Sequence, residues 1–315
     1  MEPLYIILII LGGLILLTLA AAFVCFLMVF YSPARKPVAY DQYDIPEGEI
    51  YEEFREDMVS WQKALRAMEC EAVEIRSRDG LTLRGKYYEY EAGAPIEIMF
   101  HGYKGSAERD LSGGVERCFK LKRNTLIVSQ RAHGDSDGHV ITFGYKEKLD
   151  CLDWIDYVNK RFGSEQKILI TGISMGAATV LLAAGEELPE NVLCVLADCG
   201  YSSTKDIICK IVREMHLPVA IIYPLVRLGG LVFGGFDPNK AEPIEAVKRC
   251  RIPIIFVHGD TDDFVPCEMS QRMYDVCPTE KTFFIAKGAG HGLAFPKDQE
   301  GYYRSIRAFE SVWNK

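Results

Sequence analysis

The run Lys167-Ile-Leu-Ile-Thr-Gly172-Ile173-Ser174-Met175-Gly176-Ala177-Ala178 sets a serine between two glycines, behind an apolar stretch and ahead of small residues. A serine hydroxyl is a weak nucleophile at neutral pH unless it is held out on a turn with a base within hydrogen-bond reach. A sharp strand-to-helix turn supplies the first condition, and the flanking glycines let neighbouring backbone pass without a Cβ clash. The helix that follows also points its N-terminal amides at negative charge forming on a substrate. On its own the five-residue pattern is common, and Ser174 reads also as a simple turn residue.

Two later segments supply the second condition. Ile252 to Pro266 places Asp260, Asp262 and Asp263 just past an apolar run, and Gly288-Ala-Gly-His291-Gly-Leu places a histidine in a glycine-rich loop past the next run. An imidazole titrates near neutrality, so His291 can take the serine proton and return it to a leaving group. A buried carboxylate would fix its tautomer and stabilise the imidazolium. Asp262 is the preferred acid, with Asp260 and Asp263 read as capping or loop-solvating groups. Asp198, just past the run Val192 to Ala197, remains a topological rival. The oxyanion of such a reaction needs two preset backbone N–H donors, assigned to Met175 after the serine and to Tyr103 in His101-Gly102-Tyr103-Lys104-Gly105. His101 and His258, each ending an apolar run before a glycine, read as structural turn residues.

These loops need a scaffold that brings them to one edge. Glu71 to Ser77 and Leu81 to Tyr90 read as an opening hairpin across Arg78-Asp79-Gly80. Buried strands follow at Ile96 to Phe100, Thr125 to Ser129, Lys167 to Ile173, Val192 to Ala197, Ile252 to Val257 and Thr282 to Ile285. Helices are expected at Lys146 to Arg161, Ala177 to Glu187, Met269 to Val276 and Gly301 to Trp313. The alternation predicts an α/β fold with a mainly parallel central sheet and helices on both faces. In such a sheet the loops after the strands gather at one edge.

The N-terminal part is different. From Leu4 to Tyr31 no residue is charged, and at about 1.5 Å per helical residue this exceeds the roughly 30 Å hydrocarbon core of a bilayer. A transmembrane helix over residues 1–31 is expected; a cleaved signal peptide would be shorter and carry a basic start. Arg35 and Lys36 follow the span and Glu2 precedes it, which by the positive-inside rule puts the remainder in the cytoplasm. Nine of the ten cysteines lie beyond the span at spacings that suggest neither a disulfide framework nor a metal pair, in keeping with a reducing compartment. Residues 32–70 read as a proline-bearing linker and an amphipathic helix, with Phe54, Met58, Trp61, Leu65 and Met68 on one stripe that is expected to dock on the domain in preference to binding a partner. With 36 basic against 44 acidic residues and no basic stripe, a nucleic-acid partner is not expected. Neither a ligand cluster nor a phosphate-cradling loop is visible, so no metal or other cofactor is expected.

His101-Gly-Tyr, Gln130-Arg-Ala-His133-Gly-Asp-Ser136-Asp-Gly, Gly172-Ile-Ser174-Met-Gly176, Asp198-Cys-Gly-Tyr-Ser, His258-Gly-Asp-x-Asp262-x-x-Val-Pro266 and Gly290-His291 occur together. In combination they resemble the α/β-hydrolase superfamily over Glu71 to Lys315. The chain is most similar to membrane-anchored bacterial members related to its esterase, acylglycerol-lipase and prolyl-oligopeptidase-like branches. Relatives usually carry an aspartate where Ser129 stands, which bears on local loop packing. The order Ser174, Asp262, His291 is the order of that family. The resemblance implies a serine hydrolase domain over 71–315 with a helical lid inserted at about 202–250, acting on a small-molecule acyl ester, and the apolar stretch Leu217 to Phe236 points to a lipid-derived one. A peptidase or amidase using the same triad, and a silent binding protein on the same fold, are the competing readings. The oligomeric state is not legible.

Overall fold

The computed structural model describes residues 3–33 and 41–313. Glu2, Arg35, Lys36 and Pro37, which carried the reading of orientation and part of the linker, lie outside the described residues.

A 27-residue apolar helix, α1 (Pro3–Val29), opens the chain, and short α2 (Glu49–Glu52) and amphipathic α3 (Arg55–Ala67) follow. The strands are β1 (Glu71–Arg76), β2 (Thr82–Tyr88), β3 (Ile96–Phe100), β4 (Asn124–Ser129), β5 (Ile168–Ile173), β6 (Val192–Asp198), β7 (Ile254–Gly259) and β8 (Lys281–Ala286). Between them run α4 (Ala107–Lys120), α5 (Glu147–Phe162), α6 (Met175–Ala184), α7 (Thr204–Glu214), α8 (Val219–Gly229), α9 (Pro243–Val247) and α10 (Cys267–Val276). Helices α11 (Ala294–Lys297) and α12 (Gln299–Trp313) close the chain.

The eight strands form one sheet in the order β1-β2-β4-β3-β5-β6-β7-β8; β2 runs antiparallel to both neighbours and the remaining pairs are parallel. β3, β6 and β7 are buried nearly end to end, as strands covered on both faces must be. β7 begins at Ile254 and not at Ile252 because Pro253 has no N–H to give to the ladder. Within β3 the fully buried Glu97 faces two guanidiniums, with Arg123 Nη1 at 2.6 Å, Arg117 beside it, and Thr171 Oγ1 donating at 2.6 Å. Burial opposes ionisation, but the two arginines hold its carboxyl down at about 2.

The stripe on α3 docks as expected, with Phe54, Trp61 and Leu65 buried and Trp61 against Phe295 at 5.4 Å. Its seat, α4, was not foreseen. Leu111, Val115 and Cys118 carry a helical repeat there, but Gly113 and Gly114 interrupt the pattern. A side chain on Gly113 would collide with the Trp61 ring, so the glycine is there to let α3 approach.

The sheet is crossed between β6 and β7 by a helical insertion, α7, α8, a wide turn at Gly230–Gly234, and α9. Its inner face packs with Phe143, Met175 and Ala178 in one apolar cluster. The expected span differs from a free tether. The whole of α1 qualifies as a candidate membrane span and its first 19 residues are largely exposed, whereas Ala22, Phe26 and Phe30, one face at steps of four, are buried against α8 and the turn after it.

Candidate active site

Four loops meet at the edge where the parallel strands end. β5 delivers Ser174, β7 delivers Asp262, β8 delivers His291 and β3 delivers His101-Gly102-Tyr103. Ser174 sits at φ +56° and ψ −113°, a conformation that a side-chain-bearing residue adopts only under constraint. A Cβ on Gly172 would strike the Gly176 backbone, and one on Gly176 would strike the Phe100 carbonyl. The two glycines are therefore what allow β5, α6 and β3 to close around the serine.

The three side chains form one line. His291 Nε2 is 3.0 Å from Ser174 Oγ, and His291 Nδ1 is 2.8 Å from Asp262 Oδ2. Asp262 Oδ1 accepts from the backbone N–H groups of Phe264 (3.0 Å) and Val265 (2.8 Å). Burial would push this carboxyl up, but hydrogen bonds from His258 and His291 hold it well below the ordinary carboxylate range. It is thus held in its charged form beside the His291 ring. Asp198 is close by yet turned elsewhere: its Oδ2 accepts from Tyr302 Oη at 3.0 Å, while its carbonyl accepts from Ser174 N at 2.8 Å. Asp260 Oδ1 accepts from Gly288 N at 2.6 Å, tying the acid loop to the histidine loop. Among the described residues no side-chain hydrogen bond or ion pair joins Asp263 to the line; its carbonyl lies against Lys210.

Met175 is the first residue of α6, so its N–H lies at a helix N-terminus directly after Ser174. The loop carrying Tyr103 passes beside the serine, since a Cβ on Gly102 would lie 3.6 Å from Ser174 Cβ. The amides on either side of Tyr103 are tied down: Gly102 N–H donates to Asp110 Oδ2 at 2.9 Å and Lys104 N–H to His133 Nε2 at 3.0 Å. Burial would raise Asp110, but Arg109, bonded at 2.6 Å, holds it below its ordinary range. His101 accepts from Gln130 N–H at 3.1 Å and holds the base of the loop.

Several contributors escaped the sequence reading. His258 was read as a turn residue, but its Nε2 lies 3.2 Å from Asp262 Oδ2 and 2.8 Å from the Val265 carbonyl, so it backs the acid directly. Its position four residues before Asp262 was the available signal. Tyr51 Oη donates to the His291 carbonyl at 3.1 Å across 240 residues of sequence, a contact no local pattern announces. Phe264 lies over the His291 ring at 5.0 Å and is 42 % exposed, forming the outer wall. Ser174 is nearly covered and lines neither the cavity of about 360 Å³ bounded by Tyr223, Leu228 and Leu231 nor that of about 740 Å³ beside β2. Cys199 Sγ, Asp262 and His291 offer ligand atoms within 4.8 Å of one another. A metal would need the thiolate, which burial strongly disfavours at Cys199, and one of the two His291 ring nitrogens, which already face Ser174 and Asp262.

A family model described as the alpha/beta hydrolase fold matches residues 98–237, the stretch holding Tyr103 and Ser174. An uncharacterized protein, YqkD, of Bacillus subtilis is 25% identical over 248 residues, 78% of this chain and 81% of the relative. The polyketide transferase ATR5 of Stachybotrys chlorohalonatus is 30% identical over 276 residues, covering 72% of this chain and 91% of the relative. The solved esterase Pf2001 of Pyrococcus furiosus superposes with a TM-score of 0.66 at 21% identity, covering 90% of this chain and 99% of that one. Sheet order, elbow geometry and these matches agree, and the chain belongs to the α/β-hydrolase superfamily.

Proposed function

We propose that this hydrolase-fold protein is a membrane-anchored serine hydrolase that cleaves acyl esters through an acyl-enzyme. The observation that carries the reading is the continuous line Ser174 Oγ, His291 Nε2 and His291 Nδ1, Asp262 Oδ2, at 3.0 and 2.8 Å. Ser174 Oγ attacks the ester carbonyl while His291 takes its proton, and Asp262 steadies the imidazolium. The Met175 and Tyr103 N–H groups receive the oxyanion. His291 then protonates the leaving alcohol, and a water activated by the same imidazole releases the acid and restores Ser174.

Residues 1–31 serve as the anchor, 32–70 as linker and docking helix, and 71–315 as the hydrolase domain, with the insertion at about 202–250 acting as a lid. Exposed Ile221, Leu231 and Val232 continue the apolar surface of α1, and Phe233 meets Phe23 at 5.0 Å, which suits a lid lying against lipid and a lipid-derived acyl ester as substrate. The ten cysteines are free, and with Arg35 and Lys36 after the span this favours a domain in the cytoplasm.

A fluorophosphonate probe should label the wild type at Ser174 and leave Ser174→Ala unlabelled. An unlabelled wild type would return the protein to the silent-binding reading. A panel of short and long acyl esters beside peptide amides then identifies the substrate: a preference for acetyl over every longer chain would overturn the lipid assignment, and faster amide cleavage would make the enzyme a peptidase.

A further inference from the structure

The end of α1 is built into the domain and not merely attached to it. Phe30 is fully buried, with its ring 5.8 Å from Phe143 and 5.0 Å from Phe236. The chain leaving the helix then continues as part of the fold: Ile141 N–H donates to the Phe30 carbonyl at 2.8 Å, and Ser32 N–H to the His139 carbonyl at 2.9 Å. The last carbonyls of a helix have no intrahelical donor and must be satisfied from outside. In α1 two of them are taken by the loop beside the nucleophile. Tyr103 Oη donates to the Val29 carbonyl at 2.7 Å, and Lys104 Nζ donates to the Met28 carbonyl at 3.1 Å. The Tyr103 ring also lies 5.0 Å from Phe143, the residue on which Phe30 rests.

From this geometry we infer that the last two turns of the apolar N-terminal helix are a positioning element of the active site, holding the oxyanion loop through the Val29 carbonyl and the Phe30 seat. The inference rests on the serine hydrolase reading, in which the Tyr103 N–H is an oxyanion donor. Its physical basis is the steep dependence of such a donor on placement, since catalysis gains from a hydrogen bond only where the developing charge will be. The loop is fixed from below by Asp110 and His133. On its outer side the contacts just described come from α1. The helix end therefore sets the height of the loop above Ser174. The part of α1 before Ala22 spans about 28 Å at 1.5 Å per residue, close to the roughly 30 Å hydrocarbon thickness. On the anchored reading the seated turns follow directly on this exposed stretch, with little slack between it and the loop.

The test uses the full chain in liposomes and a short, water-soluble ester. Tyr103→Phe removes only the hydroxyl that reaches Val29. It should lower kcat about tenfold, a fraction of the roughly 10²–10³ lost when an oxyanion donor is removed outright, with KM and the thermal midpoint little changed. Phe30→Ala should lower kcat at least as far, and Phe30→Leu should restore most of it. Replacing residues 4–17 by leucine should leave kcat as in the wild type, since that stretch is exposed but for a half-covered Gly12 and lies outside the seated turns. Wild-type kcat in Tyr103→Phe, or in a folded Phe30→Ala, overturns the inference. A loss of kcat in the leucine-replaced chain equal to that in Phe30→Ala overturns it as well, by making the whole span and not its end the requirement. If the wild type does not react with a fluorophosphonate, the serine hydrolase reading falls first; if wild type and Tyr103→Phe react at the same rate, this inference alone falls.

Discussion

Asp198 and Asp262 stand at the ends of adjacent strands, both buried and both near His291, and their surroundings drive them in opposite directions. Asp262 has four N–H neighbours, two from the backbone of its own loop and one each from His258 and His291, and these outweigh burial and keep it ionised. Asp198 receives one hydroxyl, from Tyr302, its Oδ1 has no hydrogen-bond partner among the described residues, and burial raises it. On the proposed mechanism, proximity to an imidazole therefore does not by itself make a catalytic acid. The supply of donors to the carboxylate does, because only a satisfied anion can remain charged in a dry site.

The largest effect that could break this contrast is Asp262→Asn. It should lower kcat by about 10⁴-fold, because the amide turns the imidazole toward the wrong tautomer; a kcat within tenfold of wild type would hand the acid role to Asp198. His258→Asn comes next. Losing one hydrogen bond to a charged group, worth about 1.5–3 kcal/mol, should slow kcat by roughly 10–100-fold and displace the acid limb of the pH–rate profile, whereas a purely structural His258 would change stability alone. Asp198→Asn should leave kcat near the wild-type value, since the Ser174 N–H is held by the backbone carbonyl and not by the carboxylate.

The smallest and sharpest effect is in the pH dependence of stability. Asp262 has a folded-state pKa below its unfolded value of about 3.9. Its stabilisation is complete above that value and is lost as pH falls toward the folded-state pKa. Asp198 is raised, so the folded protein keeps a proton that the unfolded chain releases above about pH 4, and stability declines as pH rises through that window. Denaturant midpoints measured from roughly pH 3 to roughly pH 7 should lose the first slope in Asp262→Asn and the second in Asp198→Asn. Identical slopes in the two variants would show that the carboxylates are not distinguished by their donors.

Much of this was legible in the chain because each candidate residue follows a strand that announces itself by an apolar run. Ser174, Asp262 and His291 could be proposed from strand-then-loop context, and the sheet from the spacing of those runs. What escaped has a common physical cause. Tyr51, Asp110 and His133 act through contacts made only after folding, and their own neighbourhoods carry no periodicity that points to the site. The helix α4 escaped because Gly113, needed for the approach of Trp61, erases the helical signal locally. The seating of α1 escaped for a further reason: the helix reads as uniformly apolar, so the face at Ala22, Phe26 and Phe30 that meets protein looks no different from the face left exposed.

That seating has a consequence for the order of synthesis. The first helix leaves the ribosome long before Tyr103, Phe143 and Phe236, the residues that receive its end. At roughly 5–20 residues per second the wait until Phe236 is made is roughly ten to forty seconds. His291 is translated later still. On the proposed anchoring and chemistry, a chain inserted as it is made therefore meets the bilayer before Ser174 and His291 exist, and it stays an inert polypeptide until both loops are in place.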